Sequence, residues 1–154
     1  KQLIRELKLK IPQVAITTDV MVGFPGETEE QHQISLAFVE EMEFAGLHVF
    51  KYSPRTGTKA ASFENQVPPE VKEERSKEMI ALGRRLKKKF AQRFLGQKLD
   101  VLVEQQTKDG LWEGHSPNYL KVCFAAPKDD LRGKILPVKL VEYTEDFILG
   151  EVKL

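Results

Sequence analysis

The residues in this sequence best equipped to hold a ligand sit at the ends of two apolar runs. Asp19 interrupts Val14–Val22, a stretch otherwise rich in β-branched and apolar side chains. A carboxylate buried in such a strand is costly unless it is paired, either with a ligand or with neighbouring backbone. Gly23 and Gly26 flank Phe24-Pro25 directly after it. The glycines permit positive φ and close approach of a ligand to bare backbone, while Pro25 stiffens the turn. The second run ends in Tyr52, Ser53 and Arg55. Arg55 is a fixed cation suited to carboxylate or phosphate, and it is equally an ordinary surface arginine. If the two runs are parallel strands, both turns open on the same edge, where Asp19, Gly23, Tyr52, Ser53 and Arg55 can converge on one polar ligand. A glycine turn alone is weak evidence, and a βα turn without a ligand fits the same residues.

Two further constellations point to nucleic acid. The net charge is +1, so bulk charge names no partner, but the charges are unevenly distributed. Arg84, Arg85, Lys87, Lys88, Lys89, Arg93 and Lys98 follow one another with no acid between Arg84 and Lys98. A solvated helix end favoured by the dipole and a phosphate-backbone surface both fit. Trp112 to Val122 mixes aromatic, amide and basic side chains in a hairpin context. That mix suits single-stranded RNA, with bases stacked on rings and phosphates held by cations; Trp112 fits a core position as well. The candidate RNA-binding residues are Arg84, Arg85, Lys88, His115, Asn118, Tyr119 and Lys121. No catalytic set is visible. His32, His48 and His115 are scattered, His32 on what reads as the polar face of a helix, and no cluster has metal spacing. Cys123 is the sole cysteine. It can form neither an internal disulfide nor a thiolate cluster by itself, and a reducing, cytoplasmic setting is expected.

These groups need elements to position them. Leu3, Ile4 and Leu7 have helical spacing, in a helix that starts abruptly and is ended by Pro12. Val14–Val22 reads as a strand buried on both faces. Thr28 to Gln31 reads as a capping box, opening a helix over Glu29–Phe44 that buries Ile34, Phe38 and Met42 and is stopped by Gly46. Leu47–Tyr52 is a second strand, so the unit is βαβ and its strands are parallel. After a loop over Lys59–Val67, Pro68-Pro69 opens a long helix from Glu70 to about Phe94. Its stripe is Val71, Met79, Leu82, Leu86, Phe90 and Phe94, and Gly96 terminates it. Short runs then suggest five strands, Lys98–Gln105, Gly110–Glu113, Tyr119–Ala125, Ile135–Glu142 and Asp146–Lys153. Turns fall at Lys108-Asp109-Gly110, Ser116-Pro117-Asn118, Lys128-Asp129-Asp130 and Tyr143-Thr144-Glu145. Together they read as a small antiparallel barrel. With 154 residues the chain suffices for one ordinary domain or two small ones. The reading divides it into residues 1–95 and 96–154. No apolar run is long enough to cross a membrane.

Three of these stretches carry a resemblance. Thr17–Thr28 resembles the GFPGET stretch of radical-SAM methylthiotransferases, and His48–Ala61 resembles these enzymes as well. Glu113–Val122 looks like part of the TRAM domain, a small β-barrel that ends these enzymes. The phrase around His48-Val49-Phe50 favours the branch acting on threonylcarbamoyladenosine over the isopentenyladenosine and ribosomal-protein branches. The resemblance implies an α/β portion followed by an all-β one: the last βαβ of a partial radical-SAM barrel, then a five-stranded TRAM barrel. Val14–Val22 and Leu47–Tyr52 would be the fifth and sixth barrel strands, the abrupt start at Lys1 agreeing with a chain cut within the barrel. Asp19, Gly23, Phe24, Phe50, Tyr52, Ser53 and Arg55 match positions near the S-adenosylmethionine pocket. The parent would add a methylthio group to C2 of a modified adenosine next to the anticodon, using two [4Fe-4S] clusters whose ligands this chain lacks. The piece alone is expected to be inactive. Its expected partner is the tRNA anticodon stem-loop, with no membrane, and its exposed half-barrel edges invite self-association. The alternatives are a stand-alone RNA-binding module without catalysis and the ribosomal-protein methylthiotransferase branch.

Overall fold

A parallel pair of strands lies at the centre of the first half of the chain. The computed structural model describes residues 1–126 and 130–152, and they divide into two compact units. The first comprises Lys1–Lys10 and Ile16–Lys87; the second comprises Ile11–Ala15 and the chain from Lys88 onward.

In the first unit, helix α1 (Gln2–Lys10) precedes β1 (Thr17–Val22), α2 (Glu29–Met42) and β2 (Gly46–Lys51). β1 and β2 pair in parallel, Thr17 opposite Gly46 and Val22 opposite Lys51. The expected capping box is present: Thr28 Oγ1 accepts from Gln31 N, and the Gln31 side chain accepts from Thr28 N. A single-turn 3-10 helix (Lys59–Ser62) leads to α3 (Pro69–Gln92), whose residues up to Lys87 belong to this unit. Val22, with partly buried Val20, Leu47 and Val49, packs against Val39 and Met42 of α2, Phe44, and Met79, Leu82 and Leu86 of α3.

Three expectations for this unit are corrected. β1 is not buried on both faces. The helices cover only its Val20–Val22 side, and burial alternates along the strand. The α2 stripe is rotated from the one expected. Ile34 and Phe38 are exposed, and His32, Val39 and Met42 face the core. His32 is therefore not on a polar face; its Nε2 meets Glu78 Oε2 of α3 at 2.9 Å, which gives the buried ring a partner. The left-handed residue ending α2 is Glu43 (φ 48) rather than Gly46, which is already the first residue of β2.

The second unit is a closed barrel. Its strands are β3 (Lys98–Gln106), β4 (Trp112–His115), β5 (Lys121–Phe124), β6 (Ile135–Tyr143) and β7 (Ile148–Glu151), joined in the order β3-β4-β5-β7-β6. Four of the five pairings are antiparallel as expected, and β5 with β7 is parallel. Along β3, Leu99, Val101 and Val103 point inward in strict alternation. They meet Val122, Phe124, Val138, Leu140 and Ile148 in the barrel interior, and Trp112 is buried too. Gly114 is required for closure, because a Cβ there would sit 2.1 Å from the Leu102 carbonyl oxygen. Gly96 (φ 82) ends the segment after α3 and donates to Leu140 O of β6 at 2.7 Å, just before β3 begins. The turns at Gly110 and Thr144 form as expected. Lys128 and Asp129 of the expected third turn, and Lys153, lie outside the described residues. No described helix is long and apolar enough to cross a membrane.

Candidate cofactor edge and nucleic-acid surface

The two turns do open on one edge. The strand ladder continues one step past β2, with Tyr52 N donating to Val22 O at 2.9 Å. This places the start of the second turn beside the start of the first. Gly23 and Gly26 both take positive φ (73° and 85°). The Phe24 ring meets Tyr52 edge-on at 5.3 Å between centroids, and Phe63, from the following loop, meets Phe24 at 6.3 Å. Tyr52 is buried, and its Oη has no hydrogen-bond partner among the described residues. Gly26 has open space beside it, where an added Cβ would meet nothing within 4 Å, while its N–H donates to Asn65 O at 2.7 Å. Gly23 serves differently from expectation: the space a Cβ would need there is filled by the Lys72 side chain, at 2.4 Å.

The remaining edge residues divide into two groups. Asp19 is not a buried carboxylate. It is exposed on the open face of the sheet and pairs with His48, Nδ1 to Oδ1 3.0 Å. Its register partner is the same His48, just as Met21 pairs with Phe50. Met21 and Phe50 are 54% and 52% exposed, so the sheet presents an apolar step next to the Asp19–His48 pair. Ser53 and Arg55 are exposed on the turn beyond Tyr52. The Arg55 carbonyl accepts from Thr58 N and Oγ1 (3.1 and 2.8 Å), which closes that turn. Gly23, Phe24 and Tyr52 are thus in one cluster, Asp19 and Phe50 share the open face, and no described contact ties Ser53 or Arg55 to either.

On the barrel, the β4–β5 hairpin sorts the candidate RNA contacts by what they already touch. Asn118 is buried; its Oδ1 accepts from Ser116 Oγ at 2.6 Å, and Ser116 Oγ in turn accepts from Leu120 N. These two side chains build the loop. His115 Nδ1 lies 3.0 Å from Glu104, and Lys121 Nζ donates to Glu113 Oε2 at 2.8 Å. Lys121 first, then Gln105, holds the Glu113 carboxyl below its ordinary value against the opposing effect of burial, and Glu113 in turn raises Lys121. Cys123, buried beside Glu113, has its thiol pushed up by desolvation. Tyr119 alone is presented outward, 84% exposed and held at φ 59. On α3, Arg84, Arg85 and Lys88 are all exposed. Arg85 pairs with Glu40 at 2.7 Å, whereas Arg84 and Lys88 have no ionic partner among the described residues.

No protein-family model matches the chain. Curated proteins do. It is 41% identical over 143 residues to a threonylcarbamoyladenosine tRNA methylthiotransferase of Bacillus subtilis (strain 168), covering 90% of this chain and 32% of the relative. It is 40% identical over 152 residues to a tRNA-2-methylthio-N(6)-dimethylallyladenosine synthase of Caldicellulosiruptor saccharolyticus, covering 98% and 32%. A synthase of the same name from Chloroflexus aurantiacus is 40% identical over 144 residues, covering 91% and 30%. Over nearly its whole length the chain is similar to part of these tRNA methylthiotransferases. It spans about a third of the length of these relatives, and the near-equal identities do not separate the two substrate branches.

The edge has groups that fit an adenosyl moiety: exposed ring surface at Phe24 and Phe50, open space beside Gly26, and the unpartnered Tyr52 hydroxyl. It does not fit an iron–sulfur cluster. A cluster needs several thiolates, and this chain has one cysteine, which is buried. Among the described residues no group of three or more His, Cys, Asp or Glu is placed to hold a metal ion. Sequence reasoning missed the residues that fasten the edge, Glu27, Lys72 and Arg75. One signal was present: Arg75 occupies a core-facing position of α3, four residues before Met79, where a charge is out of place unless it is paired.

Proposed function

We propose that this chain is the C-terminal third of a tRNA methylthiotransferase, in which the α/β unit supplies part of the S-adenosylmethionine-binding wall and the barrel holds the tRNA. The carrying observation is the shared edge: the Gly23–Glu27 turn and the Tyr52 turn lie side by side, joined by Tyr52 N to Val22 O. The parent would place a methylthio group on C2 of a modified adenosine next to the anticodon. The cofactor and its clusters, held by other parts of the parent, would supply the radical chemistry; this chain's residues would bind, orient and shield. The threonylcarbamoyladenosine branch is our preferred assignment. Asp19, Ser53 and Arg55 complete the proposed polar rim, and a cytoplasmic setting follows from a tRNA substrate. The open sheet face makes self-association of the isolated chain the competing behaviour.

On the RNA side, Tyr119, Arg84 and Lys88 are the proposed primary contacts. Lys121, His115 and Arg85 would act only by exchanging a carboxylate for a phosphate, and Asn118 would act by shaping the loop. The test is a gel shift of an anticodon stem-loop with the full chain, comparing wild type with Tyr119→Ala and with Arg84→Ala/Lys88→Ala at two salt concentrations. The reading expects salt-sensitive binding that the cation variant weakens and makes less salt-dependent. Binding indifferent to salt and to both variants overturns the RNA role.

A further inference from the structure

Helix α3 contributes no residue to the proposed pocket, yet two of its side chains reach both pocket turns. Arg75 Nη1 donates to the Glu27 carbonyl and to Glu27 Oε2, each at 2.9 Å, and its Nη2 reaches Glu29 Oε2 at 3.4 Å. The same Glu27 Oε2 accepts from Gly23 N at 2.5 Å, closing a ring across the turn. This pair is shielded from water: the Arg75 side chain is 6% exposed and that of Glu27 14%. One turn of helix earlier, Lys72 lays its aliphatic stem against Gly23. Its Nζ donates to Tyr52 O at 3.2 Å and lies 5.2 Å from the centre of the Tyr52 ring. Lys72 and Arg75 are three residues apart, so they leave the helix on one face.

We infer that Lys72 and Arg75 are positioning residues: from α3 they clamp the Gly23–Glu27 turn and the Tyr52 turn into one fixed edge, Arg75 acting through Glu27. The inference rests on the pocket reading above for what the edge is for, but the clamp itself is a property of this chain. A buried guanidinium that reads both a carbonyl and a carboxylate fixes orientation as well as distance, which a lysine at the same place cannot do. Glu27 likewise needs its charge, because one oxygen serves Gly23 N–H and Arg75 together.

Amide hydrogen exchange of the labelled full chain tests the clamp without any ligand. Glu27→Gln and Arg75→Lys should each speed exchange at Gly23 by about tenfold, the size expected for losing a hydrogen bond to a charged group, and Lys72→Met should loosen Tyr52 and its neighbours. Met79→Ala, a core truncation in the same helix, controls for general loosening: it should raise exchange throughout the unit with no preference for Gly23. Equal protection of Gly23 in wild type, Glu27→Gln and Arg75→Lys overturns the clamp, as does a Met79→Ala pattern indistinguishable from theirs. Titrating S-adenosylmethionine into the same samples then separates the two readings. Shifts at Gly23, Phe24 and Tyr52 in wild type that weaken in Arg75→Lys support both. No shift in wild type, with exchange changed as expected, leaves the clamp standing and removes the cofactor pocket from this edge.

Discussion

In the barrel every strand has two neighbours; in the α/β unit, among the described residues, β1 and β2 have only each other. The barrel's inner face holds Val101, Val122 and Val138 fully buried. The sheet's uncovered face leaves Met21 and Phe50 half in water. Closure removes edges and makes a small β-domain independent of its surroundings. A two-stranded parallel sheet draws its stability from the helices on its covered face and leaves the other for something else to fill. The candidate pocket lies at the end of the open two-stranded sheet, and the candidate RNA contact Tyr119 projects from the closed barrel. The sole tryptophan, Trp112, is buried in the barrel. Its fluorescence therefore follows the barrel, while helical circular dichroism follows mainly the other unit.

The largest test of this contrast is a pair of identical substitutions. Phe124→Ala removes a fully buried ring from the barrel and should cost about 3–5 kcal/mol in urea denaturation followed by Trp112. Phe50→Ala removes a ring of the same size from the open face and should change stability by no more than about 0.5 kcal/mol. A Phe50→Ala cost approaching that of Phe124→Ala, and growing with protein concentration, would mean that a second copy covers the face.

Within the α/β unit, the greatest sensitivity is expected at the buried pair. Arg75→Met leaves the Glu27 carboxylate shielded and unpaired and should cost about 3–5 kcal/mol in the helical transition. Adding Glu27→Gln removes the stranded charge and should recover a substantial part of that loss. Additive effects in the double variant would show that the two side chains do not act as a pair.

A smaller effect, confined to the barrel, follows from Glu113. Its carboxyl is held below the ordinary 4.5, first by Lys121 and then by Gln105. A depressed carboxylate adds stability that is complete above its unfolded value and disappears as pH falls through the folded one. Barrel stability should therefore decline below about pH 4.5, and Glu113→Gln should flatten that decline. Lys121 is raised above 10.5 by the same partner, so its share is present below that pH and lost as pH climbs past the folded value. Because Lys121 is more than a third exposed, the whole effect is on the order of 1 kcal/mol. Melts followed by Trp112 at stepped pH measure it; an acid limb identical in wild type and Glu113→Gln would place the sensitivity elsewhere.

What was legible in the sequence follows the same division. The barrel strands were readable because alternation such as Leu99, Val101, Val103 is dictated by a single wet face. The parallel β5–β7 pairing was not, since neither strand's pattern encodes its neighbour's direction. The capping box at Thr28 and the parallel strands were readable from local chemistry. The face of α2 was not: Ile34, Leu36, Ala37, Phe38 and Val39 crowd its circumference, so periodicity cannot choose a side. The choice falls to His32, which has a carboxylate waiting on α3. For the same reason Asp19 was misjudged. Its apolar neighbours predicted burial, but burial requires a second layer over that face, and sequence periodicity says nothing about whether one is there. The clamp joins Arg75 to Glu27, 48 positions away, and Lys72 to Tyr52, 20 away, which spacing within any one element cannot show.

The smallest expected change in stability sharpens the contrast from the barrel side. Tyr119 is held at φ 59, a conformation that an L-residue with a side chain adopts at a cost of roughly 1 kcal/mol. Its ring is almost wholly in water and offers the fold little in return. Tyr119→Gly relieves the strain and should raise barrel stability by up to about 1 kcal/mol, less the extra freedom glycine gives the unfolded chain. Tyr119→Ala keeps the strain and should be near neutral. If the ring is a stacking platform for an RNA base, both variants lose about 1–3 kcal/mol of stem-loop affinity, so the glycine variant becomes more stable and binds less. That opposition is the mark of strain retained for function rather than for folding. A glycine variant that is more stable and binds equally well would leave the exposed ring without a role in RNA recognition, and would shift the search for the contact surface to the α3 cations.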